Sequence, residues 1–374
     1  MDLMGQKEAH RTMSSLADQL SAVKLKKSKE PIKDFSSPKT AGFLKEEEIK
    51  EYERCVLEVN TEQWIDLLRD ETFPTVLCPF LLEEAQLFIS IYERLYVNKD
   101  SDHICKTDWK DNLTDSETIL LDTLVSRLQL SMDTFTKDGY AFVKTSSRSA
   151  KDAPLVQNHL KDLYKNELST FPAEERSENI QITCLLKAAF IALRVKTADE
   201  VLDMFMRSER IYQDLLLAAV NQKDNYNEHF VIRKFVDIDV DMEFRGFVSN
   251  YELVALSQYN YAICSDRLVK EKEKYGHMVK EYFNTAVRPK LKDSKFPKDS
   301  IVDFAICDQG AKLWVIEVNP FLETTDGALF SWNHERDILE GSQGFVFRIT
   351  EKPRPGAKTI LPQSVKGLLE DKTI

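Results

Sequence analysis

The sequence predicts an α+β fold, and three observations carry that expectation. Apolar runs with the two-residue period of strands gather in the second half of the chain, at 230–236, 243–249, 252–258, 301–307 and 312–318. Helical periodicity dominates before them, from LLEEAQLFISIYERLYV to EVLDMFMRSERIYQDLLLAAV, so helices and strands are segregated rather than alternating. The chain has 374 residues, 43% of them hydrophobic, which is enough to fold as one large or two ordinary domains.

Taken in order, residues 1–50 read as a flexible basic arm. Between Lys24 and Lys39 six lysines stand against Glu30 and Asp34, with Pro31 and Pro38 and few apolar residues to bury. Within it Leu16, Leu20 and Val23 share a helical face ahead of an LKKS run. This piece, residues 16–28, is similar to the actin-binding WASP-homology-two motif, so an actin contact stands as an expectation beside a plain solvated arm. Folded sequence starts near residue 51. FPTVLCPF reads as a strand, and Leu87, Ile91 and Leu95 keep helical spacing. Thr114 and Glu117 form a capping box before ILLDTLVSRLQLSMDTF. Lys137-Asp138-Gly139 is a turn leading to the strand 140–144. EVLDMFMRSERIYQDLLLAAV reads as one strong helical pattern, a charged helix spans about Ser265 to Val287, and Asp308-Gln309-Gly310 joins the last two strands as a hairpin.

Composition narrows the chemistry. The net charge of −11 argues against nucleic acid or an anionic bilayer as the main partner. No apolar run approaches the ~18 residues of a membrane span, and the first twenty residues lack the apolar segment of a secretory leader. Six scattered cysteines without a CxxC pair suit a reducing cytoplasm. With 11 glycines there is no GxGxxG and no GxxxxGK[ST], and the six histidines have no metal-like spacing. Carboxylates, Lys, Arg and hydroxyls are left to do the work.

Three clusters place such groups in apolar surroundings. In IVDFAICDQGAKLWVIEVNPFLETTDGALFSW, Glu317 and Asn319 project to one strand face, with Asp303 on the partner strand. Two carboxylates at ~4 Å repel by about 4 kcal/mol at an effective dielectric of 20. Magnesium, which takes such oxygens, removes that cost, and pairing with Lys or Arg is the alternative. In HFVIRKFVDIDVDMEFRGFV, Glu243 and Arg245 share a face, where a structural ion pair is one reading, while Arg233 and Lys234 interrupt a second apolar strand. In YAFVKTSSRSAKDAP, Lys144 ends a strand and a hydroxyl-rich loop follows. Fixed cations of this kind suit a polyanion.

Together these parts have the layout of an ATP-grasp site, in which two α+β lobes clamp ATP between antiparallel sheets. More closely, the sequence resembles the cell division cycle protein 123 family. The likeness is carried by VLEVNTEQWIDLLRDETFPTVLCPF, FVKTSSRSAKDA, VIRKFVDIDVDMEFRGFVSNYELVALSQYN and LWVIEVNPFLETTDGALFSW. It leaves out 154–228 and both tails. The resemblance implies an amino-terminal lobe at 51–229 with a helical insert at about 154–228, a carboxy-terminal lobe at 230–345 and a tail at 346–374. It implies ATP and magnesium (Mg2+) as ligands. Lys144 would meet the phosphates, with Ser146, Ser147 and Lys151 in the loop above them. Arg233, Lys234 and Phe235 would receive the adenine, Glu243 and Arg245 would lie along the nucleotide, and Asp303, Glu317 and Asn319 would hold the metal. The implied role is chaperone-like assembly of translation initiation factor two, through its gamma subunit, in the cytoplasm.

The sequence departs from the family at particular positions. Glu317 stands where the family generally has Asp, the Asp303–Glu317 spacing is one residue wider, and Phe235 replaces a Trp. Glu317 in an EVNP context also matches ATP-grasp ligases. A ligase, or a nucleotidyl or phosphoryl transferase, is therefore the rival reading, with Glu323, Thr324 and Asp326 as candidate acceptor-side groups. An actin-tethered scaffold is the third.

Overall fold

Two sheets organise the chain in a computed structural model that describes residues 54–156, 159–221, 226–361 and 363–370; the arm with its 16–28 motif lies outside these. The first sheet contains β1 (Thr75–Phe80), β2 (Ala141–Lys144), β3 (Arg194–Val195) and β4 (Glu228–Lys234), in the antiparallel order β1-β4-β2-β3. The second contains β5 (Glu243–Ser249), β6 (Glu252–Gln258), β7 (Ser300–Cys307), β8 (Lys312–Pro320) and β9 (Val346–Arg348), in the order β8-β7-β5-β6-β9. All its pairs are antiparallel except β6 with β9. The α+β class read from the sequence is the observed one.

Helices cover the outer face of each sheet. Beside the first lie α1 (Leu82–Leu95) and α2 (Asp115–Thr136). The Thr114 box forms as expected: Glu117 N–H donates to Thr114 Oγ1 at 3.3 Å, and Thr114 N–H donates to Glu117 Oε2 at 2.8 Å. Behind that cap Leu121, Leu124, Leu128 and Met132 form a buried stripe at helical spacing. They pack on Phe80, Ala141, Val143, Phe230 and Ile232 of the sheet, where Phe80 stacks on Phe230 at 4.1 Å. In the second sheet Phe244, Val302, Phe304 and Val315 meet α7 (Lys272–Tyr282) and the turn after it through Val279 and Phe283. Alternation along those strands turns Arg245, Asp303 and Glu317 to the opposite face.

Between α2 and α7 come α3 (His159–Ser169), α4 (Glu178–Ile191), α5 (Ala198–Met206) and α6 (Glu209–Asn221). The pattern read as one helix over 200–220 is therefore two, broken at Arg207–Ser208. The break follows from a buried polar anchor: Ser208 Oγ donates to Asp152 Oδ1 at 2.5 Å and accepts from Ile211 N–H at 3.1 Å. Strand β4, placed by sequence at the start of the second lobe, pairs with β1 and β2 in the first sheet. Residues 346–370, read as a tail, supply β9 and a helix that buries Val365.

Hydrogen bonds from the segment just before β1 help join the sheets. Thr72 Oγ1 donates to Val315 O at 2.6 Å, and Val315 N–H donates to Glu71 O at 2.7 Å. In the β7–β8 ladder Asp303 faces Glu317 and Phe304 faces Val315, so Ile316 is the extra residue of a β-bulge. The bulge absorbs the added residue in the Asp303–Glu317 interval and keeps Glu317 opposite Asp303. At the hairpin end Asp308, Gln309 and Gly310 have φ of 51°, 56° and 98°, which is where glycine is needed.

Candidate functional site

A cleft of about 660 Å³, its open mouth included, lies between the inner faces of the two sheets. Its walls are apolar at one end, with Phe73, Phe142, Phe190, Phe235, Val236 and Ile238. Its polar lining is four cations, Lys144, Lys151, Arg233 and Lys234, against two acids, Glu243 and Glu317, together with Ser149. Lys144, Arg233, Lys234 and Glu243 come from strand ends, Lys151 from the loop after β2, and Glu317 from the middle of β8.

Lys144, the last residue of β2, spans the cleft and donates from Nζ to Glu317 Oε1 of the opposite sheet. Lys151 Nζ donates to Tyr259 Oη at 3.2 Å and lies 5.3 Å from that ring. Arg233 donates to Ile316 O and Thr72 Oγ1 and sits 4.9 Å over the Phe73 ring. Burial pulls the Arg233 guanidinium down to about 10 despite the nearby Glu317 charge. Burial acts on Glu317 in the opposite sense, but Lys144 and Lys151 outweigh it and hold the carboxyl at about 2. On Glu243 burial wins: with Asp303 adding to it and Lys151 and Arg245 only partly opposing, the carboxyl rises to about 7. Two acids on one cleft thus differ by the cations each can reach.

Arg245 and Asp303 face each other across the β5–β7 ladder. Arg245 Nε and Nη2 donate to the two Asp303 oxygens at 2.9 and 2.8 Å, and Nη1 donates to Asp326 O at 2.9 Å. Its guanidinium lies 4.8 Å over the Tyr259 ring. Asn319 Nδ2 donates to Asp303 Oδ2 at 3.1 Å. The three oxygen donors Asp303, Glu317 and Asn319 are brought together, with the two carboxylates neutralised by the chain's own Arg245 and Lys144. Among the described residues no group of three or more His, Cys, Asp or Glu is arranged to hold a metal. Glu317 Oε2 and Asn319 Oδ1 are the trio's oxygens with no hydrogen bond among the described residues.

The loop hydroxyls differ from expectation. Ser146 is buried away from the cleft and accepts from His229 N–H at 3.0 Å, while Ser147 donates to Asp214. The hydroxyl that lines the cleft is Ser149, two residues further on. Lys234 and Phe235 do line it, with their N–H groups donated to Pro74 O and Tyr140 O, each at 2.9 Å. Of the acceptor-side candidates, Glu323 pairs with Arg336 at 3.3 Å and Thr324 is exposed. Asp326 gives its carbonyl to Arg245. None of the three lines the cleft. Sequence reasoning did not find Tyr259, Ser149 or the aromatic wall of Phe73, Phe142 and Phe190, which come from distant segments and show no pattern of their own.

Two α+β lobes with a charged cleft between their sheets define an ATP-grasp-like architecture. A match to the D123 family covers residues 186–366. The chain is 28% identical over 150 residues to the translation initiation factor eIF2 assembly protein of Xenopus tropicalis, covering 39% of this chain and 43% of the relative. It is 28% identical over 148 residues to cell division cycle protein 123 of Phaeosphaeria nodorum, covering 38% of each. The chain thus spans less than half the length of the curated relatives it matches. The solved structure of Cdc123 from Schizosaccharomyces pombe superposes with a TM-score of 0.52 at 19% identity, covering 79% of this chain and 97% of that one. Residues 186–366 are thus similar to the D123 (Cdc123) family. The family match begins inside 154–228, so the likeness extends over that stretch from residue 186, a correction to its reading as an insert wholly outside the likeness.

Proposed function

We propose that the chain binds ATP with magnesium in the cleft and acts in the cytoplasm as an assembly factor for translation initiation factor two, with the gamma subunit as its partner. One observation carries the nucleotide half: four cations against two acids stand beside a slot walled by aromatic rings. A flat base joined to a polyphosphate matches both ends, which neither a purely apolar ligand nor a neutral sugar does. Lys144 and Lys151 would meet phosphate as point charges, and Ser149 would add a hydroxyl. The Arg233–Phe235 segment would lie along the base. Glu317 and Asn319 would hold magnesium through their uncommitted oxygens, with phosphate and water completing the shell. Asp303 would stand behind them, orienting Asn319. Bound magnesium would supply neutralisation of phosphate charge.

The partner half rests on the names of relatives that this chain matches over less than half their length. A ligase or transferase would use the same cleft and would need an acceptor pocket beside it. The arm's 16–28 motif supports an actin contact of its own, independent of the cleft.

Thermal melts test the nucleotide half. ATP should raise the melting temperature with magnesium and much less with EDTA; equal shifts would remove the metal, and no shift would remove the nucleotide. Affinity purification with and without ATP tests the partner. Initiation-factor subunits are the expected capture, and actin alone would select the arm instead.

A further inference from the structure

The second residue of α6 is Arg210, and its position is fixed from both sides. Its N–H donates to Asp152 Oδ2 at 3.1 Å, and the other oxygen of Asp152 accepts from Ser208 Oγ. Asp152 directly follows Lys151, so the start of α6 is tied to the loop that lines the cleft. The residue is 9% exposed, and its Nε has no hydrogen-bond partner among the described residues. Two cleft residues act on its charge, Lys151 repelling and Glu317 attracting it, while Arg148 repels it and Asp152 and Tyr259 attract it from beside the cleft. Burial lowers its proton affinity, and Arg148 lowers it further. A guanidinium that is buried, unbonded at Nε and crowded by two like charges is unfavourable without a counter-ion.

Arg245 is the guanidinium that the family resemblance places along the nucleotide, yet its Nε, Nη1 and Nη2 are spent on Asp303 and Asp326. Arg210 keeps its planar fork available. It is not among the residues that line the cleft, but Asp152, the neighbour of Lys151, holds its main chain, and its charge interacts with Lys151 and Glu317 at that corner. A nucleotide with its base against Phe235 would extend its last phosphate toward this corner.

We propose that Arg210 clamps the terminal phosphate and so sets a preference for nucleoside triphosphate over diphosphate. This rests on the nucleotide reading above and adds a residue from the helical segment to it. A role confined to packing α6 would leave nucleotide preference untouched, which separates the two.

Titration calorimetry of the full chain with MgATP and with MgADP provides the test. The unaltered chain should bind MgATP more tightly. Arg210→Met, which keeps the volume and removes the charge, should weaken MgATP by roughly tenfold or more and MgADP by less than about twofold. Its melting temperature without nucleotide should be unchanged or higher, since an unpaired buried charge is gone. Equal weakening of both nucleotides, or of neither, overturns the proposal while leaving the nucleotide reading intact. An unaltered chain that binds neither nucleotide sinks that reading itself. Should Arg210→Met fail to fold, Arg210→Lys decides: a reduced ATP-to-ADP ratio supports the clamp, and an unchanged ratio overturns it.

Discussion

Arg245–Asp303 and Lys144–Glu317 are two ion pairs on the same inner surface, and they are built for different ends. The first joins neighbouring strands of one sheet by two parallel bonds, with side chains 4% and 5% exposed. The second reaches between sheets by a single ammonium contact, and its carboxylate is 25% exposed toward the cleft. A planar, bidentate, desolvated pair is costly to open. A flexible ammonium holding one oxygen can be recruited by a better anion. Burial by itself does not mark a functional charge. What marks it is how many of its hydrogen-bonding positions the fold has left unused.

The sharpest way to break the comparison is Asp303→Ala. Removing one partner leaves Arg245 buried without a counter-charge, and unfolding in urea should show a loss of about 3–5 kcal/mol. A loss under about 1 kcal/mol would mean that the pair is not architectural. Glu243→Gln comes next, because Glu243 lies on the same strand face as Arg245 and has no ion pair among the described residues. Burial raises this carboxyl to about 7 from an unfolded value near 4.5. Its contribution to stability is therefore fully present below pH 4.5 and is lost as pH rises through about 7. The Gln variant should exceed the wild type by on the order of 2 kcal/mol at pH 8 and match it near pH 4.5. A pH-independent difference would contradict this.

Lys144→Ala should lower MgATP affinity by about tenfold while native circular dichroism persists. Collapse of the fold would move this pair into the same class as Arg245–Asp303. The smallest effect belongs to a pair outside the cleft. Lys110–Asp199 has both side chains at least half exposed, so Lys110→Ala should change stability by no more than about 0.5 kcal/mol.

Much of this surface could be read from the sequence, for one physical reason. A charged residue inside an apolar strand is conspicuous, and period-two alternation says which of its neighbours share its face. Asp303, Glu317, Glu243, Arg245 and Lys144 were found in that way, as was the capped helix behind Thr114. Helical charges carry no such signal, since Arg210 in SERIYQDLL resembles any solvated helix position. Its burial depends on Asp152 and Ser208, which lie 58 and 56 residues apart from their partners in sequence. The hydroxyls of the Lys144 loop misled for a related reason. Their types suited phosphate, but His229 and Asp214 had already claimed Ser146 and Ser147. Family likeness compensated where pattern failed, although the motif comparison stopped short of residues 186–228.

The clasp of Asp152 on Ser208 and Arg210 has a mechanical consequence. A strip of backbone pinned midway to the head of a helix cannot swing like a hinged cover. Lys151 and α6 are coupled as one piece, so widening the entrance would require the whole helical flank to recede from the opposite sheet.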